Sequence, residues 1–146
     1  MLLSRAALYG QGEDLHLALW PGSTRNTRDI TRFIAMEGRS YVASVSGLMR
    51  REDIGAASAW RAEVSEAAPA TLADGGSCLA GPDGEWLIPP APAGETLLTA
   101  TIDFRRVLEE RQNFDPAGHY ARPDVTRLQV DRRRQSIVEF PDGGVT

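Results

Sequence analysis

Side chains that could carry covalent chemistry are few in this chain. One cysteine, Cys78, and two histidines, His16 and His119, are its candidates for nucleophile and base, and all 16 basic residues are arginine, so lysine is absent. A thiol attacks as its thiolate, which needs a neighbouring base or a helix N-terminus to form. Cys78 instead opens a short apolar run, where a small thiol packs as an ordinary buried residue. His16 alternates with Leu15 and Leu17 and reads as a satisfied core histidine. His119 lies in Gly118-His119-Tyr120 on a loop, the usual home of functional residues, although such a histidine more often bonds backbone. Two distant histidines and one cysteine lack the spacing of a metal site. No catalytic residue, metal ligand or cofactor is therefore assigned. The candidate that survives is Trp20-Pro21-Gly22-Ser23, at the carboxyl end of the first apolar strand, where α/β sheets place their ligand crevice. These four can shape a substrate pocket but cannot carry out catalysis, and Trp20 reads equally well as core.

The elements that must position that segment are legible from periodicity and punctuation. Leu2 to Tyr9 reads as a helix stopped by Gly10 and Gly12. Leu15 to Trp20 is a near-continuous apolar run ended by Pro21-Gly22, predicting a strand buried on both faces. A helix follows, capped by Asn26 or Thr27, with Ile30, Phe33 and Ile34 as its apolar stripe and Gly38 at its close. Tyr41 to Ser46 predicts a second strand, parallel to the first. Glu37-Gly38-Arg39, where helix meets strand, reads as a fold-locking contact. From Arg50 to Gly75 the chain is Ala-rich without a sustained period, predicting surface helix and loop. Ser77–Leu79 and Glu85–Ile88, joined by Pro82-Asp83-Gly84, read as a hairpin. Pro89 to Pro92 is a stiff loop. Leu97–Ile102 predicts a strand, Phe104 to about Gln112 a helix, residues 113–124 a loop, and Thr126–Val130 a last strand. The whole is an α/β pattern with a mixed sheet, about five strands and three or four helices. That is little helical cover for strands apolar on both faces.

Composition narrows the function classes. With 146 residues, 42% hydrophobic and 25% charged, the chain has an ordinary globular balance. A net charge of −4 offers no electrostatic footprint for nucleic acid or an anionic membrane. The run Arg132-Arg133-Arg134 reads as a solvated tail rather than a nucleic-acid patch. No apolar run approaches a membrane span, and the first residues do not form a secretory signal. A single cysteine excludes an internal disulfide framework and makes a reducing cytoplasm the expected compartment.

Several segments, taken in order, resemble one family. They are Ala6 to Leu15, Trp20-Pro21-Gly22, Ile34-Ala35-Met36-Glu37-Gly38-Arg39, Tyr41-Val42-Ala43-Ser44, Asp74-Gly75-Gly76-Ser77-Cys78 leading into Gly81-Pro82-Asp83-Gly84, and Asp115 through Asp124 with Gly118-His119-Tyr120-Ala121-Arg122-Pro123-Asp124. Together they resemble the C-terminal half of nitrilases, in the carbon–nitrogen hydrolase superfamily. The resemblance implies half of a four-layer α-β-β-α sandwich, in which Trp20, Pro21, Gly22 and Ser23 face the substrate. It also implies that Cys78 is non-catalytic and that His119 has a structural or subunit-contact role. The family's reaction uses a Cys thiolate that attacks a nitrile carbon, a Glu general base and a stabilising Lys. None of the three can be transferred here, because the nucleophile would fall just before Met1 and the others earlier still.

Two readings follow. In the first, residues 1–130 are a partial hydrolase domain, inactive alone, and residues 131–146 a mobile tail. Its partners would be a further copy or the N-terminal half, with a small nitrile or amide as substrate only in the full domain. The second is a non-catalytic subunit of a nitrilase-family protein. An independent enzyme using Cys78 is a third, disfavoured by that thiol's setting.

Overall fold

A computed structural model describes residues 2–64, 69–91 and 93–133. Helix α1 spans Leu2–Tyr9, strand β1 Leu15–Trp20, helix α2 Thr24–Gly38 and strand β2 Tyr41–Ser46. Then come β3 (Leu48–Arg50), a 3-10 turn (Arg51–Asp53), a short helix α3 (Trp60–Glu63) and β4 (Thr71–Asp74). Strands β5 (Cys78–Ala80) and β6 (Trp86–Ile88) and helix α4 (Arg105–Asn113) complete the described elements. The chain is thus mixed α/β. Four strands form a sheet in the order β1-β2-β5-β6, while β3 and β4 make a separate ribbon. Strands β1 and β2 pair in parallel, Leu15 opposite Tyr41 through Trp20 opposite Ser46, and the other pairs are antiparallel.

One helix covers one face of this sheet. Thr27, Thr31, Ile34, Ala35 and Gly38 fall at helical spacing and are the buried side of α2. Against them pack Ala18, Val42 and Ala80, with Trp20, Ile30 and Trp86 at the margin. Helix α1 docks on the end of α2 through Tyr9. Its ring lies where a Cβ on Gly38 would come within 2.5 Å of Cε1, so only glycine fits. Tyr9 donates to Glu37 at 2.8 Å, and Arg5 bridges both groups. Burial, then the bond to Glu37, raises the phenol pKa, which keeps Tyr9 a donor. At the other end of the same turn, Arg39 adopts the left-handed conformation usually left to glycine. Its guanidinium is held by Glu110 at 3.2 Å and lies over the Phe114 ring, tying α2 to α4. Glu37 and Arg39 therefore do lock the fold, each through a different element.

Four expectations need correction. Strand β1 is not buried on both faces: Leu17 is 67% exposed and Leu19 79%, and beside them on β2 Val45 is 53% exposed. Nothing among the described residues covers that side of β1. Leu97–Ile102 and Thr126–Val130 form no strand, and Leu97 is 88% exposed. Residues 50–75 hold the ribbon strand β4 and the end of β3, besides the expected helical turn. Finally, α2 begins earlier than the Asn26 or Thr27 cap, at Thr24, with Ser23 before it. The hairpin stands, shifted by about one residue, and α1, β1 and β2 fall on their expected bounds. The tail assigned to residues 131–146 lies outside the described residues from 134 onward.

Candidate functional site

Because β1 and β2 run parallel, their carboxyl ends emerge side by side. Three loops meet there: residues 20–24 after β1, residues 46–47 after β2, and residues 73–77 between ribbon and hairpin. Glycines allow the meeting. A Cβ on Gly22, whose φ is +136°, would sit 2.6 Å from the Gly47 carbonyl oxygen and collide with Ala73. One on Gly47 would lie 2.7 Å from the Pro21 carbonyl oxygen. One on Gly76 would lie 3.0 Å from Thr24 Cα. Hydrogen bonds cross the same junction. The Gly47 amide donates to the Trp20 carbonyl at 3.2 Å, the Thr24 amide to Asp74 Oδ1 at 2.7 Å, and the Ser46 amide to Ser77 Oγ at 3.0 Å.

Asp74 therefore occupies the first turn of α2, where a carboxylate suits the helix's unpaired amides and dipole. It does from another strand what a cap residue would do locally. Ser23 makes no side-chain cap bond, and its φ is +94°, a conformation that L residues rarely adopt. Its carbonyl accepts from the Asn26 amide and the Thr27 hydroxyl. A Ser23→Gly change is expected to raise stability by about 1 kcal/mol by removing that strain. Urea unfolding would measure it, and a destabilised variant would show that the serine side chain holds the loop.

Trp20 is anchored from beneath by a buried polar chain. Thr31 Oγ1 donates to the Thr27 carbonyl at 2.6 Å, which uses its one proton. Ser44 Oγ, 2.6 Å from Thr31 Oγ1, must therefore be the donor of that bond, and it accepts from Trp20 Nε1 at 3.1 Å. Every group in the chain is satisfied, so the indole is fixed in direction. Trp20 is thus a core residue at one edge and the start of the site loop at the other. The four-residue segment remains together: Trp20 and Pro21 lead in, Gly22 wedges against Ala73, and Ser23 opens α2.

The other reactive side chains stand elsewhere. Cys78 is buried on β5 with its sulfur 3.8 Å from Thr31 Oγ1. Burial pushes its thiol pKa up, with the hydroxyl contacts of Thr31 and Ser44 opposing. Since the folded thiol titrates above its unfolded value, its stabilising effect is present below about pH 8.5 and fades as pH rises through the folded value. We expect alkylation of native Cys78 at pH 8 to be at least tenfold slower than after denaturation. Equal rates would return the thiol to the list of reactive groups. His16 Nδ1 donates to Glu13 Oε1, 2.9 Å away, and the His119 ring lies tilted against Tyr120 with ring centroids 4.9 Å apart. Among the described residues no group of three metal-binding side chains occurs. Gly47 was missed by sequence reasoning, and Asp74 and Gly76 entered it only as part of the Asp74–Cys78 motif, with no place at this junction. The glycines also carried a local signal, as punctuation around short strands.

No family model matches the chain. It is similar, however, to an aliphatic nitrilase of Sinorhizobium fredii (strain HH103), 37% identical over 142 residues. The match covers 94% of this chain and 44% of that protein. A nitrilase 2 from an unknown prokaryotic organism is 32% identical, with 99% of this chain and 45% of that protein covered. A bifunctional nitrilase/nitrile hydratase of Oryza sativa subsp. japonica is 34% identical, over 96% of this chain and 40% of that protein. The chain spans less than half the length of the curated relatives it matches.

Proposed function

Given that the chain belongs to the nitrilase family, to whose C-terminal half it corresponds, we propose that it is one sheet-and-helix half of a carbon–nitrogen hydrolase and supplies one wall of its substrate pocket. The reaction is hydrolysis of a small nitrile, taking up two waters to give a carboxylic acid and ammonia, or the related hydrolysis of an amide. In this reading Trp20, Pro21, Gly22 and Ser23 face the substrate, and the nucleophile, base and lysine come from the complementary half. Four layers would result: α2, this sheet, a second sheet and its own helices. The bare face of Leu17, Leu19 and Val45 carries the proposal, because an apolar sheet face needs another layer against it. The absence of lysine supports the division of labour. Residues 1–130 are then the partial domain, working in a cytoplasmic setting. No helix among the described residues is long and apolar enough to cross a membrane.

The same face would equally serve a non-catalytic subunit that packs on a nitrilase-family partner. Co-expression distinguishes the two readings. The chain would be produced alone and with a polypeptide carrying the N-terminal half of the S. fredii relative, and ammonia release from an aliphatic nitrile and its amide followed. We expect none from the chain alone and turnover from the pair. A complex without turnover favours the subunit reading. Turnover by the chain alone that disappears in Cys78→Ser would overturn both.

A further inference from the structure

The segment Leu97–Ile102 has the residues of a strand and lacks only a neighbour. From Glu95 to Asp103 the chain runs without a turn or bend. Among the described residues, no backbone amide or carbonyl of residues 97–102 makes a hydrogen bond. The stretch is nonetheless held on either side. The Ala91 amide donates to the Ser77 carbonyl at 3.0 Å. At the other end the Tyr41 hydroxyl donates to the Asp103 carbonyl at 3.0 Å and accepts from the Asp103 amide at 3.3 Å. Phe104 then packs edge-on against the Tyr41 ring. Leu98 and Ile102 are half-buried, whereas Leu97, Thr99, Ala100 and Thr101 are exposed. A straight backbone fixed in solvent with its polar groups open is the condition in which an edge recruits another strand, and its ordering cost is already met.

We propose that two copies of this chain pair through Leu97–Ile102 as antiparallel strands, related by a two-fold axis at Ala100. Leu-Leu-Thr-Ala-Thr-Ile is uncharged and free of proline, a composition that suits strand pairing. It is also self-complementary about Ala100. In that register Thr99 stands opposite Thr101 and Leu98 opposite Ile102, matched cross-strand pairs on opposite faces. Charge at the ends agrees. Glu95 makes no ion pair among the described residues, and the register brings it beside Arg105 of the other copy. That guanidinium is held by Asp103 at 2.6 Å and is 84% exposed, so it has room for a second carboxylate. Parallel pairing in register would instead set Glu95 against Glu95 and Asp103 against Asp103. The surface uses none of residues 20–24 and none of Leu17, Leu19 and Val45, so it stands apart from the hydrolase reading.

The test is the oligomeric state of the full chain, carrying Leu17→Lys and Leu19→Lys so that the bare sheet face cannot associate. Sedimentation velocity should show a monomer–dimer equilibrium with Kd on the order of 100 μM, as suits one short strand pair. Amide exchange at residues 97–102 should slow about fourfold between roughly 10 μM and roughly 1 mM protein. Cross-linking reads the register. Ala100→Cys puts a thiol on the axis, and mild oxidation should link most chains into dimers, while the buried Cys78 does not compete. Leu97→Cys, roughly 20 Å from its own copy in this register, should link few. Glu95→Arg should weaken the dimer about fivefold, and adding Arg105→Glu should restore it, a rescue that loss of folding would not give. A monomer at every concentration would overturn the pairing, as would a dimer that leaves exchange at residues 97–102 unchanged. Equal linking by Leu97→Cys and Ala100→Cys would overturn the axis. Protection of residues 97–102 only when the N-terminal half of the S. fredii relative is added would make that half the occupant and overturn self-pairing.

Discussion

Gly22→Ala is expected to destabilise the chain by roughly 3–5 kcal/mol, enough to unfold the candidate site. Two costs combine. The backbone there has φ +136°, which an L side chain rarely adopts, and the added methyl would meet Ala73 and the Gly47 carbonyl oxygen, neither at the end of a flexible side chain. Relief would require the β1–α2 loop to lift off the ribbon, breaking the Thr24–Asp74 and Gly47–Trp20 bonds. Gly12→Ala is the proper control. Its φ is also positive, at +74°, but nothing lies within 4 Å of the new methyl. It should cost only about 1 kcal/mol. Urea unfolding of both variants makes the comparison, and equal losses would show that packing at the three-loop junction contributes little.

The second large effect concerns the bare sheet face. Leu17→Lys with Leu19→Lys should leave the chain's own fold intact, because both side chains already stand in solvent. Its soluble yield should rise, as the exposed apolar patch shrinks. Reconstituted hydrolysis with the complementary half should fall by at least a hundredfold, since each ammonium would be buried without a partner at several kcal/mol. Ammonia release by the variant pair at the wild-type rate would show that this face is not where the two halves meet. Co-purification would separate failed association from failed catalysis.

Much of the scaffold was legible because its signals are local. The runs at 15–20 and 41–46 begin and end at glycine, proline or polar punctuation, the run at 2–9 ends at glycine, and the elements follow those limits. What the sequence did not reveal depends on neighbours. The near-continuous apolar run Leu15 to Trp20 looks like a strand buried on both faces whether or not a second layer is at hand to cover Leu15, Leu17 and Leu19. Leu97–Ile102 has strand-forming residues, yet strand propensity expresses fit to an adjacent strand, and none of the described strands pairs with it. The ribbon failed to register for the opposite reason: Leu48–Arg50 and Thr71–Asp74 are short, mixed in polarity and partly exposed, so no period emerges. At the site, Trp20 to Ser23 could be placed from the end of an apolar run. Asp74 as the carboxylate at the start of α2 could not, since fifty positions separate it from Thr24.

The ribbon also bears on the order of folding. Ser44 and Cys78 must pair across a long intervening segment for β5 to join the sheet, and closing so large a loop in one step carries a substantial entropic barrier. Strand β3 starts just after β2, and β4 ends just before β5. Zipping Met49 against Ala73 and Leu48 against Asp74 therefore draws the loop shut progressively and delivers Cys78 to its register beside Ser44. The ribbon works as a slide fastener in time, and lengthening the chain between residues 54 and 69 should lower stability only slightly while leaving the final register of the sheet unchanged.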